Sequence, residues 1–548
     1  MERTGAGALI EVLREQGVDA VFGYPGSAVL DIYDELYKCG NIRHILTCHE
    51  QAAAHAADGY ARATGKTGVV IATSGPGATN LVTGIAAAYM DSSPVVAITG
   101  NVKTSLLGSD SFQEVDIAGV TMPVTKYSFI ASGERGVACD VREAFSIAQS
   151  GRKGPVLVDI PADIAATEEN YIPMPKSEPT QPKAPSITEL ERAAQMIRNA
   201  KKPLLYVGGG AVASGASEAL RAFAEKLGIP VACSMMGLGA FPCSSELFLG
   251  LVGMHGNPCA NSAALECDLL IAMGARFSNR VAASKDSFAP KAKIIHIDID
   301  PAEFDKNITA DAHVCGDLSE VLPALSSLLQ ADERTDWLGE IAEMKRRIQR
   351  PKPYAPYTVI NALSELTKGE VNIVTDVGQH QMWTAQYYGF ERPRSLITSG
   401  GLGAMGFGMG AAIGAALGCP EKKTVLITGD GGFHMSLGEL ATLKRYNIPV
   451  VVLVMNNGVL GMVRQWQKVF YSSRFSQTEP ERQTDIAAVA KAFGVKGMRI
   501  SRPSQARRVL KKALAMDRPV VIDCRIDPEC AVLPMIPPGG DITTAIYK

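Results

Sequence analysis

Short runs of apolar, mostly β-branched residues recur along the chain, and each run is four to six residues long. Continuous apolar runs of this length, bounded by turn residues, are typical of strands buried on both faces of a parallel sheet. The predicted strands are residues 20–23, 68–72, 95–99, 156–160, 204–207, 269–272, 294–297, 373–376, 424–427, 450–455 and 520–523.

Longer segments with helical periodicity separate these runs. They include an amphipathic helix that ends near Gln16 and helices over residues 51–64, 217–227 and 436–446. Regular alternation of buried strands with helices favours parallel sheets that are covered by helices on both faces. The predicted fold class is therefore α/β, built from doubly wound parallel-sheet domains.

Two proline-rich segments divide the chain. Residues 167–186 hold five prolines and residues 350–356 hold three, and such segments disfavour both helices and central strands. The length of 548 residues, at about 150 residues per domain, suggests three or four domains. We predict three domains, over residues 1–166, 187–335 and 357–548.

Charge and composition exclude several classes of protein. The 54 Lys and Arg nearly balance the 56 Asp and Glu, which argues against nucleic acid or an anionic membrane as partner. Residues 395–420 carry no charge, but the eight glycines among them favour a loop and a buried helix over a membrane span. The amino terminus lacks the apolar core of a signal peptide, so we expect a cytoplasmic protein. The 11 unpatterned cysteines indicate free thiols.

The clearest chemical motif lies in the third domain. The predicted strand 424–427 leads into Gly429-Asp430-Gly431-Gly432, and the strand 450–455 ends at Asn456-Asn457. Twenty-four residues separate Gly431 from Asn456, enough for one helix and one strand, so both loops fall at the carboxyl edge of a parallel sheet. Carboxylate and amide oxygens suit Mg²⁺, and the glycines let main-chain N–H groups approach phosphate. The motif predicts a metal-bridged diphosphate site.

This motif resembles that of the thiamine-diphosphate enzymes, which include pyruvate decarboxylase, pyruvate oxidase and acetolactate synthase. A second hallmark of these enzymes, a Glu after an early strand, stands here in Cys48-His49-Glu50-Gln51. The strings TSGPGATNL at 73–81, DVGQHQMW at 376–383, GGLGAMGFG at 400–408 and LGMVRQWQ at 460–467 are most similar to the acetolactate synthase large subunits. The resemblance covers nearly the whole chain.

The resemblance implies roles for individual residues. Glu50 would hydrogen-bond the aminopyrimidine and so promote loss of the thiazolium C2 proton. Trp466 would shape the acceptor pocket, and Phe112 and Gln113 would join Glu50 on the catalytic, substrate side. The implied metal ligands are Asp430, Asn457 and Val459. The implied thiamine-diphosphate contacts are Val377, Gly378, Gln379, His380, Gly403, Met405, Gly431, Gly432 and Met462.

The middle domain carries glycines at the ends of its predicted strands, as close contact with a pyrophosphate requires. By the resemblance it would bind FAD. The implied contacts are Arg152, Gly208, Gly209, Gly210, Ser234, Met235, Met254, His255, Gly274, Arg276, Arg280, Asp298 and Asp317. A dinucleotide site also needs an acidic residue at the end of a strand about 20 residues after the glycines, and only Asp430 stands at such a place. The lone GxGxxG at 401–406 is therefore weak evidence for a dinucleotide site.

The implied reaction is decarboxylation of pyruvate and transfer of the two-carbon unit to a second 2-oxoacid, in branched-chain amino-acid biosynthesis. A homodimer or homotetramer is expected, and the family allows for a small regulatory subunit. Three motifs depart from the family pattern: Ala162 replaces a Lys, Ser278 and Asn279 replace two acids, and Ser27 replaces the second residue of a Gly-Gly pair. These departures leave open a related enzyme with a different acceptor. A pyruvate oxidase-like oxidoreductase and a non-catalytic binding protein also remain open.

Overall fold

The computed structural model describes residues 1–180, 182, 184–281, 288–348, 354–481, 484–540 and 542–547. Most of the predicted linker 350–356 lies outside these described residues. The other predicted linker, 167–186, is not wholly irregular, because residues Glu168–Asn170 form a short strand that pairs with the first residues of the chain.

The first sheet has six parallel strands in the order β3-β2-β4-β5-β7-β6, and β1 and β8 form a separate antiparallel pair. The eight strands of this first domain are β1 Glu2–Thr4, β2 Ala20–Tyr24, β3 Arg43–Leu46, β4 Gly68–Ala72, β5 Val95–Asn101, β6 Tyr127–Ile130, β7 Val156–Pro161 and β8 Glu168–Asn170. The helices are α1 Gly5–Glu15, α2 Leu30–Cys39, α3 Glu50–Thr64, α4 Pro76–Met90, α5 Ile117–Thr121, α6 Val137–Gln149 and α7 Ala162–Ala166.

The second sheet is also six-stranded and parallel, but its order is β11-β10-β9-β12-β13-β14. Its strands are β9 Pro203–Val207, β10 Val231–Cys233, β11 Phe248–Leu251, β12 Leu269–Met273, β13 Lys293–Asp298 and β14 Ala312–Cys315. The helices are α8 Ile187–Asn199, α9 Gly209–Ala213, α10 Ser217–Leu227, α11 Pro258–Glu266, α12 Leu318–Ser327 and α13 Thr335–Arg347. Counted within the domain the order is 3-2-1-4-5-6, that of dinucleotide-binding sheets.

The third sheet has the order β16-β15-β17-β18-β20-β19, so it repeats the topology of the first. Its strands are β15 Asn372–Thr375, β16 Leu396–Ile397, β17 Thr424–Gly429, β18 Val450–Asn456, β19 Lys496–Ile500 and β20 Val520–Arg525. The helices are α14 Ala355–Thr367, α15 Gln379–Tyr387, α16 Phe407–Gly418, α17 Asp430–Ser436, α18 Leu440–Arg445, α19 Gly461–Phe470, α20 Ile486–Ala492 and α21 Ala506–Leu514. The predicted α/β class with three doubly wound parallel sheets is confirmed.

One predicted helix is wrong in its bounds. Instead of a single helix over 436–446, α17 ends at Ser436, a 3₁₀ turn follows at Leu437–Glu439, and α18 begins at Leu440. The turn directs Glu439 inward, where its carboxylate accepts hydrogen bonds from the N–H groups of Cys48 and His49 at 2.9 and 3.1 Å. A contact with the first domain therefore overrides the local helical periodicity.

The first and third domains meet where α3 crosses α16. Both helices are rich in Ala and Gly, so their backbones approach closely. A Cβ atom at Gly414 would lie 1.8 Å from the carbonyl oxygen of Ala56, and one at Gly59 would lie 2.2 Å from that of Ala411. The uncharged stretch of the third domain thus contains a buried interdomain helix of 12 residues. Among the described residues, no helix is long and apolar enough to cross a membrane.

This crossing gives a stability prediction. Gly414→Ala is expected to lower the free energy of unfolding by about 1–3 kcal/mol, since the added methyl group meets backbone that cannot move aside. Gly339→Ala is the matched control, because Gly339 is also helical and a Cβ there meets nothing within 4 Å. The control is expected to gain roughly 0.5–1 kcal/mol from helix propensity. Equal melting temperatures of the two variants would contradict this packing.

Candidate active site

Glu50 is the first residue of α3, at the carboxyl edge of the first sheet. Its Oε2 accepts a hydrogen bond from Asn80 Nδ2 at 2.9 Å. The preceding residues are held by Glu439 of the third domain, and a Cβ at Gly77 would lie 3.5 Å from Glu50 Oε1. The carboxylate is therefore half-buried, fixed through one oxygen, and bordered by a glycine that leaves space beside the other.

Phe112 and Gln113 lie at the same edge as Glu50. A Cβ at Gly75 would meet the backbone of Gln113 at 2.8 Å, and Gly75 stands two residues before Gly77. Gln113 has a φ of 60°, and the Phe112 side chain is 87% exposed. Gln113 therefore lies against Gly75, in the loop that leads to Gly77 beside Glu50, and the Phe112 ring is turned outward.

The diphosphate motif is formed where β15 and β17 end side by side. Gly378 follows β15 with a φ of 148°, which favours glycine, and its Cβ would lie 3.0 Å from the His380 ring. A Cβ at Gly429, at the end of β17, would lie 3.1 Å from the same ring. His380 is buried, and its Nε2 has no hydrogen-bond partner among the described residues. Burial lowers the pKa of His380 to about 4, so the ring is neutral near pH 7. The neutral ring therefore presents one nitrogen, Nε2, without a partner among the described residues.

The predicted metal ligands lie at the neighbouring strand ends. Asp430 begins α17 directly after β17 and is 3% exposed. Asn457 follows β18; its Nδ2 donates to Gln379 Oε1 at 3.2 Å, and its Oδ1 accepts from the Val459 N–H at 3.2 Å. These oxygen-bearing groups suit Mg²⁺ shared with a diphosphate. Within the described part of the chain, no three His, Cys, Asp or Glu side chains group as metal ligands, and the predicted set has only one carboxylate.

Gly431 and Gly432 let this edge pack closely. A Cβ at Gly432 would lie 2.7 Å from the Asp376 carboxylate, and one at Gly431 would lie 3.4 Å from the methyl group of Met405. Asp376 accepts hydrogen bonds from the N–H groups of Gly406 and Gly408, both at 3.0 Å. The glycine-rich run, residues 400–408 after β16, is therefore held beside the diphosphate motif.

A cavity of about 1400 Å³ lies between the three domains. It reaches the carboxyl ends of the neighbouring strands β9 and β12, where the strand order of the second sheet reverses, which is where ligands bind in such sheets. There Gly210 donates to the carbonyl of Gly274 at 2.9 Å, an approach that side chains would block. All thirteen residues predicted to contact the flavin line this cavity: Arg152, Gly208, Gly209, Gly210, Ser234, Met235, Met254, His255, Gly274, Arg276, Arg280, Asp298 and Asp317.

The same cavity continues to the third domain. Six residues predicted for the thiamine and acceptor sites line it: Val377, Gly378, Gly403, Met405, Met462 and Trp466. The Arg280 guanidinium lies over the Trp466 ring at 5.5 Å and donates to Met254 Sδ at 3.4 Å. Arg152 pairs with Glu303 at 2.6 Å, and burial raises the pKa of Asp298 to about 6. One space thus connects the two predicted cofactor regions.

Seven predicted residues lie outside the cavity wall, at the strand ends: Gln379, His380, Asp430, Gly431, Gly432, Asn457 and Val459. Glu50, Phe112 and Gln113 do not line it either. No hydrogen bond or ion pair of the described residues joins Glu50 to the strand ends of the third sheet. Within the described part of one chain, no direct polar contact therefore links the half of the predicted site that bears Glu50 to the half at those strand ends.

Several polar residues of the site were not predicted. Asp376 follows β15 just as Asp430 follows β17, so the position of a carboxylate at a strand end was the available signal. Asp58 and Arg62 are charges spaced i, i+4 in an otherwise small-residue helix, which is typical of a buried ion pair. Asn80 and Glu439 had no local signal, because each acts on residues distant in sequence.

Buried histidines give a pH prediction. Burial lowers the pKa of four imidazoles to about 4: His44, His55, His255 and His380. Between about pH 6.5 and 4 the unfolded chain binds protons that the folded chain does not, which costs about 1.4 kcal/mol per histidine per pH unit. Burial also raises the pKa of five carboxyl groups, Asp140, Asp159, Asp298, Asp376 and Glu439, which act in the opposite sense. The pKa of Asp159 and that of Asp298 is about 6, below the value of about 6.5 at which the unfolded histidines take up protons, so the histidines act first on acidification.

The free energy of unfolding is therefore expected to fall as the pH falls from 7.5 to 5. Urea midpoints measured across this range check the sign. A midpoint that rises on acidification would contradict the neutral state of these rings.

Known protein families match this chain in three segments, one in each of the three domains. Models of the thiamine pyrophosphate enzymes match residues 3–120 (N-terminal TPP binding domain), 190–325 (central domain) and 376–524 (C-terminal TPP binding domain). The acetolactate synthase isozyme 2 large subunit of Escherichia coli is 46% identical over 99% of both chains. The acetolactate synthase large subunit of Corynebacterium glutamicum is 45% identical over 99% of this chain and 90% of its own. That of Haemophilus influenzae is 43% identical over 100% and 98%. The chain belongs to the thiamine pyrophosphate enzymes, in the family of acetolactate synthase large subunits.

Proposed function

We propose that the chain is the catalytic subunit of an acetolactate synthase. It would decarboxylate pyruvate and transfer the two-carbon unit to pyruvate or 2-ketobutyrate, in branched-chain amino-acid biosynthesis in the cytoplasm. The observation that carries this proposal is the single cavity that joins the β15 strand end, through Met405, Met462 and Trp466, to the second sheet. A donor site and an acceptor pocket that share one cavity suit a ligation between two 2-oxoacids held close together.

Thiamine diphosphate and Mg²⁺ fit the residues at the third sheet. The unpartnered Nε2 of His380 and the glycines at 378, 429, 431 and 432 provide a donor and space for phosphate oxygens. Asp430, Asn457 and Val459 would hold the metal. When bound, the cofactor would supply a nucleophilic carbon that adds to the ketone of the 2-oxoacid, and a ring that stabilises the electron pair left when CO₂ departs.

The side chains of this protein would bind and orient the cofactor and the substrate, and one of them would exchange a proton with the cofactor. Asn80 occupies Oε2 of Glu50, and Oε1 has no hydrogen-bond partner among the described residues. Oε1 would take and return a proton at the aminopyrimidine nitrogen. Trp466, with Arg280 over its ring, would form one wall of the acceptor pocket.

The separation of the two halves supports a dimer. The edge that bears Glu50 also bears the exposed aromatic ring of Phe112, and a monomer leaves both uncovered. In the proposed homodimer, or a tetramer of two such dimers, Glu50 of one subunit faces the diphosphate site of its partner. The relatives are named large subunits, which is compatible with a small regulatory subunit.

The second sheet supports FAD as an additional cofactor. Its strand order and the glycine contact between Gly210 and Gly274 are those of a dinucleotide site. The cavity of about 1400 Å³ exceeds the roughly 300–1,000 Å³ of common ligand pockets, so it has room for a dinucleotide beside a second ligand. The ligation itself leaves the flavin without net redox work.

Two different activities are compatible with the same architecture. A pyruvate oxidase-like enzyme would pass electrons to the flavin across the same cavity. A different acceptor is favoured by Ser278 and Asn279, which both line the cavity near Arg276 and Arg280.

One experiment separates these functions. Pyruvate is added anaerobically to the yellow holoprotein with Mg²⁺ and thiamine diphosphate, with and without 2-ketobutyrate. The proposal expects consumption of pyruvate with the flavin still oxidised, and acetohydroxybutyrate when 2-ketobutyrate is present. Stoichiometric bleaching of the flavin would favour the oxidase, and turnover only with another 2-oxoacid would favour a different acceptor.

A further inference from the structure

A buried ion cluster of the first domain lies against the glycine-rich run of the third. On α3, Arg62 makes two hydrogen bonds to Asp58, at 2.7 and 2.8 Å, and Arg62 also donates to Asp91 at 3.1 Å. The side chains of Asp58 and Asp91 are both 0% exposed, and that of Arg62 is 9% exposed. Two carboxylates share one guanidinium, so the cluster needs further donors to satisfy its charge.

Those donors come from the start of the glycine-rich run. The N–H groups of Gly400 and Gly401 donate to the two carboxylate oxygens of Asp91, at 2.9 and 2.7 Å. Arg62 in turn donates to the carbonyl of Thr398 at 2.7 Å, just before the run. The charge balance of the cluster therefore depends on the position of this segment, although more than 300 residues separate Asp91 from Gly400.

The far end of the run is held in the same manner by another buried carboxylate. Asp376 accepts from the N–H groups of Gly406 and Gly408. Gly403 and Met405 lie in the run between these two anchored ends, and both line the cavity. A Cβ at Gly401 would meet Asp91 and Met90 at about 3 Å, so a side chain at position 401 would push the run away from Asp91.

We propose that Asp91 and Arg62 are positioning residues, which set the glycine-rich run, and with it Met405, in place for the cofactor. The inference rests on the proposed function, because it assigns these residues a role at that site. The cluster also links two active sites of the proposed dimer, since α3 carries Glu50 at its first turn and Arg62 about 18 Å further along the same helix. The contacts that Asp91 and Arg62 make with the run, here called the clamp, are all between protein groups, so we expect the run to be ordered before a cofactor binds.

Hydrogen exchange of the full-length protein tests this directly. In the unaltered protein, the segment 398–408 is expected to exchange slowly both with and without added thiamine diphosphate and Mg²⁺. Fast exchange that slows only when the cofactor is added would overturn the proposal, because the cofactor and not the clamp would then order the run.

Asp91→Asn supplies the second test. The amide keeps the shape but loses the charge and one acceptor, so the exchange of 398–408 is expected to rise at least 10-fold. The concentration of thiamine diphosphate for half-saturation is expected to rise about 10- to 100-fold, as for loss of charge-assisted hydrogen bonds. The KM for pyruvate in cofactor-saturated enzyme is expected to stay within about twofold, which a general distortion of the cavity would not spare.

Two further variants keep the result interpretable. Asp34→Asn, an exposed aspartate that pairs with Lys38 on the surface, is the matched control and should change none of these quantities. Arg62→Lys leaves Asp91 and its two N–H donors in place and should give a smaller shift in the same direction. Unchanged exchange and cofactor affinity in Asp91→Asn would overturn the inference even in an active synthase. A protein that makes no acetolactate but shows these shifts would refute only the proposed function.

Discussion

Glu50→Gln is expected to lower kcat by about 10²- to 10⁴-fold, the range for loss of a positioned acid–base group. The amide oxygen of the new side chain can still accept from Asn80, so the local structure is retained. What is lost is the ability to take up and return a proton at the free oxygen. Steady-state rates with pyruvate at saturating cofactor measure the effect.

The control for this variant is Glu35→Gln. Glu35 lies on α2 of the same domain and pairs with Lys38 at 2.8 Å on the surface, away from the site. It should retain the full rate. Exchange of the C2 proton of bound thiamine diphosphate, followed by NMR, should slow in the Glu50 variant alone. A Glu50→Gln enzyme with a rate close to that of the unaltered enzyme would remove the residue from the chemistry.

Asp430→Asn is expected to weaken binding of Mg²⁺ and thiamine diphosphate together. The carboxylate is buried at the end of β17 and would neutralise a divalent cation, so its replacement by an amide should cost about 3 kcal/mol, or roughly 100-fold in affinity. Titration with the cofactor at fixed Mg²⁺, followed by quenching of protein fluorescence, gives the dissociation constant.

The matched control is Asp517→Asn, because the Asp517 side chain is 100% exposed and its ion pair with Lys423 is on the surface. Activity of the Asp430 variant should be partly restored by higher cofactor and metal concentrations. If its half-saturating concentrations equal those of the control, Asp430 is not a metal ligand.

The core of the fold could be predicted because its strands are buried on both faces. The predicted strand 68–72 and the predicted helix 217–227 match the observed β4 and α10 to the residue. Edge strands escaped prediction. Tyr127–Ile130 and Lys496–Ile500 lie at sheet edges and mix polar with apolar residues, so they lack a continuous apolar run.

The site could be predicted where its residues are neighbours in sequence. Gly429 to Gly432 and Asn457 follow strands, and their local pattern carries their chemistry. The contacts of Asp91 with Gly400 and of Glu439 with Cys48 join residues hundreds of positions apart, and no local periodicity encodes them. Only the packing of the first domain on the third explains those carboxylates.

The stoichiometry of the reaction distinguishes a synthase from an oxidase without any variant. Purified protein is incubated with Mg²⁺, thiamine diphosphate and pyruvate, and products are followed by NMR together with CO₂ release and O₂ consumption. We predict that two pyruvate molecules disappear for each CO₂ and each acetolactate formed, with no O₂ consumed. One pyruvate consumed per CO₂ with uptake of O₂, or no consumption of pyruvate at all, would contradict the assignment of this chain as an acetolactate synthase.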